Sequence, residues 1–238
     1  MSTQAPTDSR ERILARIREA LQSPAPKRHL NPPAGLPTHQ LEPGGVGHTP
    51  QEWLPQVPAS IEDRIALFES NSTELKTRVI RCTGEDALVE ALKCLATEQG
   101  WRRVASHQFP LGHTAILSAG LPVTWVDEGY QVADMESADA GITGCECLVT
   151  QTGSILVTAA SSGGRTLSVL PPHHVVIAHR SQVVADLSEA LAVAKASHQG
   201  KQPAFLSFIT GPSRTGDIEH TLVLGAHGPK QLTVILVD

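Results

Sequence analysis

The sequence predicts an α/β fold, a largely parallel or mixed sheet flanked by helices. Short apolar runs rich in β-branched residues alternate along the chain with segments of helical periodicity, which is the pattern of strands linked by crossover helices. The apolar share is 40%, yet it contains only 3 Trp, 1 Tyr and 4 Phe, so the core has to be built from Leu, Val, Ile and Ala. The length, 238 residues, fits one large α/β domain or two small ones.

Taken in order, residues 8–21 place Ile13, Leu14, Ile17 and Leu21 on one face at helical spacing, with Arg10, Glu11, Arg12, Arg16, Arg18 and Glu19 around the rest. This is an amphipathic helix. Residues 23–58 then carry nine of the 17 prolines, together with Gly44, Gly45 and Gly47, and read as a linker. The expected organisation is therefore an N-terminal helix over 1–22, a Pro-rich linker over 23–58 and an α/β domain over 59–238. Within that domain Ser60 and Asp63 have capping-box spacing ahead of Ile61, Ile65 and Phe68, and Thr83 and Asp86 repeat the device before Leu88, Ala91, Leu92 and Leu95. Asp186 and Glu189 open a third helix that carries Leu187, Ala190, Leu191 and Ala194. Strands are expected at 78–81, 102–105, 123–126, 154–158, 174–178, 205–210 and 232–237. Residues 141–178 are the least helical and read as successive strands that add an antiparallel element.

Composition narrows the function. With 19 basic and 24 acidic side chains the formal charge is −5, and no long basic run interrupts the chain, so the electrostatic footprint of a nucleic-acid binder is missing. No stretch approaches the roughly 18 to 20 apolar residues that span a bilayer, and the N-terminus lacks an apolar signal region; a cytoplasmic setting is the expectation. Cys82, Cys94, Cys145 and Cys147 form neither a paired CxxC set nor a His/Cys array and read as buried thiols, the last two on one side of a strand. His173 and His174 are adjacent and point opposite ways, while His107 and His113 lack an HExxH-like companion, so no metal site is expected.

In open α/β sheets ligands collect where strands end and helices begin, because backbone N–H groups and the helix dipole there favour anions. Two segments have that chemistry. Ser161-Ser162-Gly163-Gly164-Arg165-Thr166 follows the strand ending near Thr158, and its paired glycines let the backbone fold N–H groups into a concave nest beside the planar fork of Arg165. Gly211-Pro212-Ser213-Arg214-Thr215-Gly216-Asp217 leaves another strand and opens an expected helix over 218–224. Such loops also serve as plain turns, and an Arg beside one can simply tie off helix carbonyls. The functional expectation is that Arg165 and Arg214 face one pocket, with Gly163, Gly164, Ser213, Thr215 and Asp217 completing an anion site and Gln151 or Thr152 on its floor. Neither loop has P-loop spacing, no GxGxxG follows a strand, and no GxSxG elbow is present.

The run from Asp139 through Gln151-Thr152-Gly153, the Gly163-Gly164-Arg165-Thr166 loop, Leu170-Pro171-Pro172-His173-His174, the Gly211 to Glu219 segment and Leu224-Gly225-Ala226-His227-Gly228-Pro229 resembles the LUD-domain family. The resemblance covers the second half of the chain by motif and the first half by layout. It implies a fold related to sugar-phosphate isomerases, CoA transferases and formyltetrahydrofolate cyclo-ligases, and a part in oxidising L-lactate to pyruvate with two iron–sulfur partner proteins. The chain itself has no cysteine cluster for an iron–sulfur centre, so cofactors are expected in the partners. Where the family usually has Glu before the Thr-Gly, this chain has Gln151, and an amide cannot act as the carboxylate nucleophile of CoA-transferase relatives. Catalysis by this chain is left open. Two other classes stand beside the lactate reading: an independent enzyme on a phosphorylated or nucleotide-like substrate, and a scaffold without a working pocket. The amphipathic N-terminal helix is read as serving assembly, with itself or with partners.

Overall fold

The computed structural model describes residues 9–22 and 56–238, apart from 216–222 and 226. The N-terminal unit contains helix α1 (Ser9–Gln22), where the apolar spacing predicts one. Most of the Pro-rich stretch, through residue 55, lies outside the described residues, as does Asp217.

The α/β unit runs α2 (Ile61–Glu74), β1 (Thr77–Cys82), α3 (Gly84–Gln99), β2 (Val104–Ser106), α4 (His113–Ser118), β3 (Val123–Trp125), α5 (Val132–Glu136), β4 (Ala140–Thr143), β5 (Cys147–Val149), β6 (Ser154–Thr158), β7 (His173–His179), β8 (Val183–Val184), α6 (Leu187–Ser197), β9 (Leu206–Ile209), β10 (Arg214–Thr215), β11 (Val223–Leu224) and β12 (Gln231–Val237). Six strands form one all-parallel sheet in the order β1-β12-β7-β4-β2-β3. A second sheet, β8-β5-β6-β9, is mixed, with β6 antiparallel to both neighbours.

Alternation along the strands explains the layering. In β7, Val175 and Ile177 join Leu88, Leu92, Leu95 and Ile116 of α3 and α4, while Val176 and Ala178 join Ile65 and Phe68 of α2 and Leu148, Ile155 and Val157 of the second sheet. The outer face of that sheet, Cys147, Val149 and Leu156, packs on Ala190 and Ala194 of α6. Each large side chain closed off in these clusters contributes about 1.5–3 kcal/mol. Of the three expected helix caps, only the Asp186 carboxylate caps its helix, accepting from the Glu189 N–H at 2.9 Å. Ser60 and Thr83 precede α2 and α3 without a side-chain capping bond.

Three expectations are corrected. Cys145 and Cys147, expected on one side of a strand, do not lie in one strand: residues 144–146 leave the parallel sheet between β4 and β5. That bend breaks the period of two, so Cys145 packs with α2 and Cys147 with α6 instead of sharing a side. Cys94 is exposed, unlike the other three thiols. Finally, Val223 and Leu224, expected in a helix, pair antiparallel with Thr215 and Arg214.

Candidate functional site

From β2 the chain crosses by α4 to β3 on one side, then returns by α5 to β4 on the other side of β2. The strand order reverses there, so the carboxyl ends of β2 and β4 splay apart and leave a crevice. A cavity of about 440 Å³ occupies it, lined by His107, Gln108 and Phe109 directly after β2, by Gly144, Cys145 and Glu146 directly after β4, and by Ser161, His179 and Gln182.

Close packing of backbone on rings fixes one wall. His107 stacks on Phe109 with ring centroids 4.8 Å apart. Gly163, at φ +61°, lies so near that a Cβ there would stand 2.6 Å from the His107 Cβ, and a Cβ on Gly112 would stand 2.0 Å from the Phe109 ring. Burial pushes the His107 imidazole below its ordinary pKa, while the charge of Asp127 and a backbone hydrogen bond with Ser161 pull the other way. The residue is 3% exposed, and among the described residues its Nε2 has no partner. Asp127 in turn accepts from the Gln108 N–H at 2.6 Å.

The opposite wall is a hydrogen-bonded clamp. The Glu146 carboxylate accepts from the Thr158 hydroxyl at 2.6 Å and lies 3.3 Å from His198 Nε2. Gln182 Nε2 donates to the Cys145 carbonyl at 2.7 Å and to that of Glu146 at 3.3 Å, holding the β4–β5 bend open. The Ser161 hydroxyl accepts from the Thr158 N–H at 2.9 Å. Burial drives the Cys145 thiol well above its ordinary pKa, with Cys147 and Glu146 adding to the effect, and raises Cys147 to about 12. Neither is a thiolate nucleophile at neutral pH. Among the described residues no Lys or Arg lines this cavity, which offers polar groups, one carboxylate and apolar walls.

The expected residues divide between the two ends of the molecule. Ser161 and Gly163 belong to the crevice, Gly163 by making room for His107. Gly164, at φ +97°, faces open space. Arg165 is exposed and lies 5.3 Å over the Phe205 ring, beside the carboxyl end of β6. Gln151 and Thr152 form the turn before β6, where the Thr150 and Gln151 carbonyls accept from Asn71 of α2 at 2.8 and 3.2 Å. Arg214 follows β9 and donates to the Leu75 carbonyl at the end of α2. Because β6 and β9 are antiparallel, Thr158 beside Leu206 and Ile155 beside Ile209, the loops bearing the two arginines leave opposite ends of that pair. The cavity that Arg214 lines does not include Arg165. Ser213 bonds through its N–H to the Pro229 carbonyl at 2.9 Å, and Thr215 pairs with Val223. Missed were His107, Gln108, Glu146 and Gln182. The strand-end rule applied to every strand, not only to glycine-rich exits, reaches His107 and Gln108, which lie two and three residues past the strand expected at 102–105.

Among the described residues, no group of three His, Cys, Asp or Glu side chains is placed to hold a metal ion, and no helix is long and apolar enough to cross a membrane.

The family profile described as "LUD domain" matches residues 65–237. Three relatives carry the name "Lactate utilization protein C". The one from Deinococcus radiodurans is 35% identical over 132 residues, which are 51% of this chain and 61% of the relative. The Shouchella clausii protein is 30% identical over 65% of this chain and 69% of its own length, and that of Halalkalibacterium halodurans 28% over 75% and 81%. The crystal structure of a DUF162 family protein from Deinococcus radiodurans superposes with a TM-score of 0.61 at 26% identity, covering 76% of this chain and all of the other.

Proposed function

This chain belongs to the LUD domain family, and on that premise we propose that it is a cytoplasmic subunit of an L-lactate utilization system whose switch-point cavity binds a small carboxylate. The carrying observation is the cavity's position. It lies at the carboxyl ends of β2 and β4, where the order of a parallel sheet reverses, in a chain whose relatives bear the lactate-utilization name. Phe109, Leu111 and Ile177 supply apolar wall for a short carbon skeleton, and Ser161, Gln108 and His179 supply polar groups for its oxygens. Electron transfer in the lactate-to-pyruvate reaction falls to iron–sulfur partner proteins, a reading supported by the lack of iron–sulfur ligand spacing among this chain's four cysteines, and α1 serves assembly.

The reading is tested by disrupting the gene. Growth on L-lactate as sole carbon source should fail while growth on pyruvate continues, and unimpaired growth on lactate contradicts it. On the purified chain, L-lactate or pyruvate should raise the melting temperature, and Gln108→Leu should reduce that rise without changing the ligand-free melt.

A further inference from the structure

At the opposite end of the parallel sheet, the amino ends of β1, β7 and β12 border a second cavity, of about 450 Å³. Strand register brings them together: Thr77 stands beside Leu232, and Gln231 beside His173. Four cationic side chains line the cavity, Lys76, Arg78, Arg214 and Lys230, in a chain whose formal charge is −5.

The protein itself occupies two of the four. Arg78 Nη1 donates to both oxygens of Glu98 at 2.8 Å, and Arg214 caps the Leu75 carbonyl. Lys76 and Lys230 make no ion pair with a described carboxylate, so among the described residues the cluster keeps an excess of positive charge. The backbone is shaped around it. Gly225, at φ +79°, lies against the Lys230 stem so closely that a Cβ would stand 2.1 Å from its Cγ. Gly211, at φ +82°, leaves room for the Arg214 guanidinium, with 3.2 Å from a notional Cβ to Nη2. Lys76 itself holds a left-handed φ of 68°, a conformation non-glycine residues seldom adopt. His173, 4% exposed, also lines the cavity; its Nε2 is bonded to Thr233 at 2.8 Å and among the described residues its Nδ1 has no partner.

We propose that this cavity binds a small polyanion of the phosphate class, held by Lys76, Lys230 and Arg214 beside an Arg78 fixed by Glu98. Ammonium groups act as point charges and the guanidinium as a planar fork, a donor set that meets several phosphate oxygens at once. A monocarboxylate would leave most of the positive charge uncompensated, whereas a diphosphate would neutralise it. The site is independent of the lactate reading, since it shares no lining residue with the switch-point cavity.

The test is calorimetric titration of the full chain with inorganic pyrophosphate at about 0.15 M salt, where long-range surface attraction is screened beyond about 8 Å. Saturable binding is expected, weakened about tenfold or more by Lys230→Gln and by Lys76→Gln, and unchanged by Arg165→Gln on the exposed loop. Melting curves without ligand confirm that each variant folds. Absence of saturable binding overturns the proposal. So does undiminished binding by the folded Lys76→Gln/Lys230→Gln double variant, or an equal loss from Arg165→Gln, which would mark diffuse surface attraction.

Discussion

The two ends of the six-stranded sheet carry opposite chemistry. At the carboxyl ends, the exits of β2, β4 and β7 deliver polar groups, one carboxylate and an imidazole stacked on Phe109; at the amino ends, Lys76 and Arg78 at β1, Lys230 before β12 and Arg214 of β10 bring four cations together. A parallel sheet makes its ends different because every crossover helix starts at one end and finishes at the other, so carbonyls accumulate at the amino ends of the strands. Arg214 on the last carbonyls of α2 is that asymmetry in one contact. Shared loop chemistry is therefore a poor guide to shared location. Two Gly-Ser-Arg-Thr loops that look alike in sequence leave opposite ends of an antiparallel strand pair.

The largest expected effect is a dependence of stability on pH, carried most by two histidines of the amino end. Burial lowers the pKa of His173 to about 4 and of His174 to about 3, with the charge of Arg78 adding to the shift of the first and His173 to that of the second. Both folded values lie below that of an unfolded histidine, so the unfolded chain binds more protons as the pH falls. Stability is complete above about pH 6.5 and is lost below it, by about 4 kcal/mol for the two together at pH 5. Denaturant unfolding at pH 7.5 and pH 5 measures this. A flat profile means that the amino end tolerates two imidazolium ions, contrary to the packing described here.

A smaller effect sharpens the carboxyl end. Gly163→Ala combines a left-handed backbone with a Cβ pressed onto His107 and should cost about 2–4 kcal/mol. Its neighbour Gly164→Ala, facing open space, should cost only the backbone term, about 1–2 kcal/mol. Equal losses would show that the His107 wall is not close-packed. Smaller again, Arg214→Ala leaves helix carbonyls uncapped and should cost about 1 kcal/mol. The exposed Arg165→Ala, losing one contact with Phe205, should cost about 0.5–1 kcal/mol. Thermal melts of the pair rank them, and a larger loss at Arg165 reverses the order.

The strands were legible wherever apolar runs were continuous: residues 154–158 match β6 residue for residue, and 174–178 fall one short of β7 at each end. Burial on both faces of a parallel strand writes itself into sequence as an unbroken run. The division into two stacked sheets was not legible, because the bend at Gly144-Cys145-Glu146 lies within an apolar stretch that alternates on paper. The site was half legible. Ser161 and Gly163 follow from their glycine-rich exit and His107 from its place after a strand, whereas Glu146 and Gln182 act through contacts 12 and 37 residues distant that no local spacing encodes.

The most direct test of which end receives the carboxylate is amide hydrogen exchange on the full chain with and without saturating L-lactate. Protection should rise in peptides covering residues 106–109, 144–146 and 160–162, at the switch point. Protection confined instead to residues 211–214 and 230–233 would place the carboxylate among the cations of the amino end and contradict the assignment.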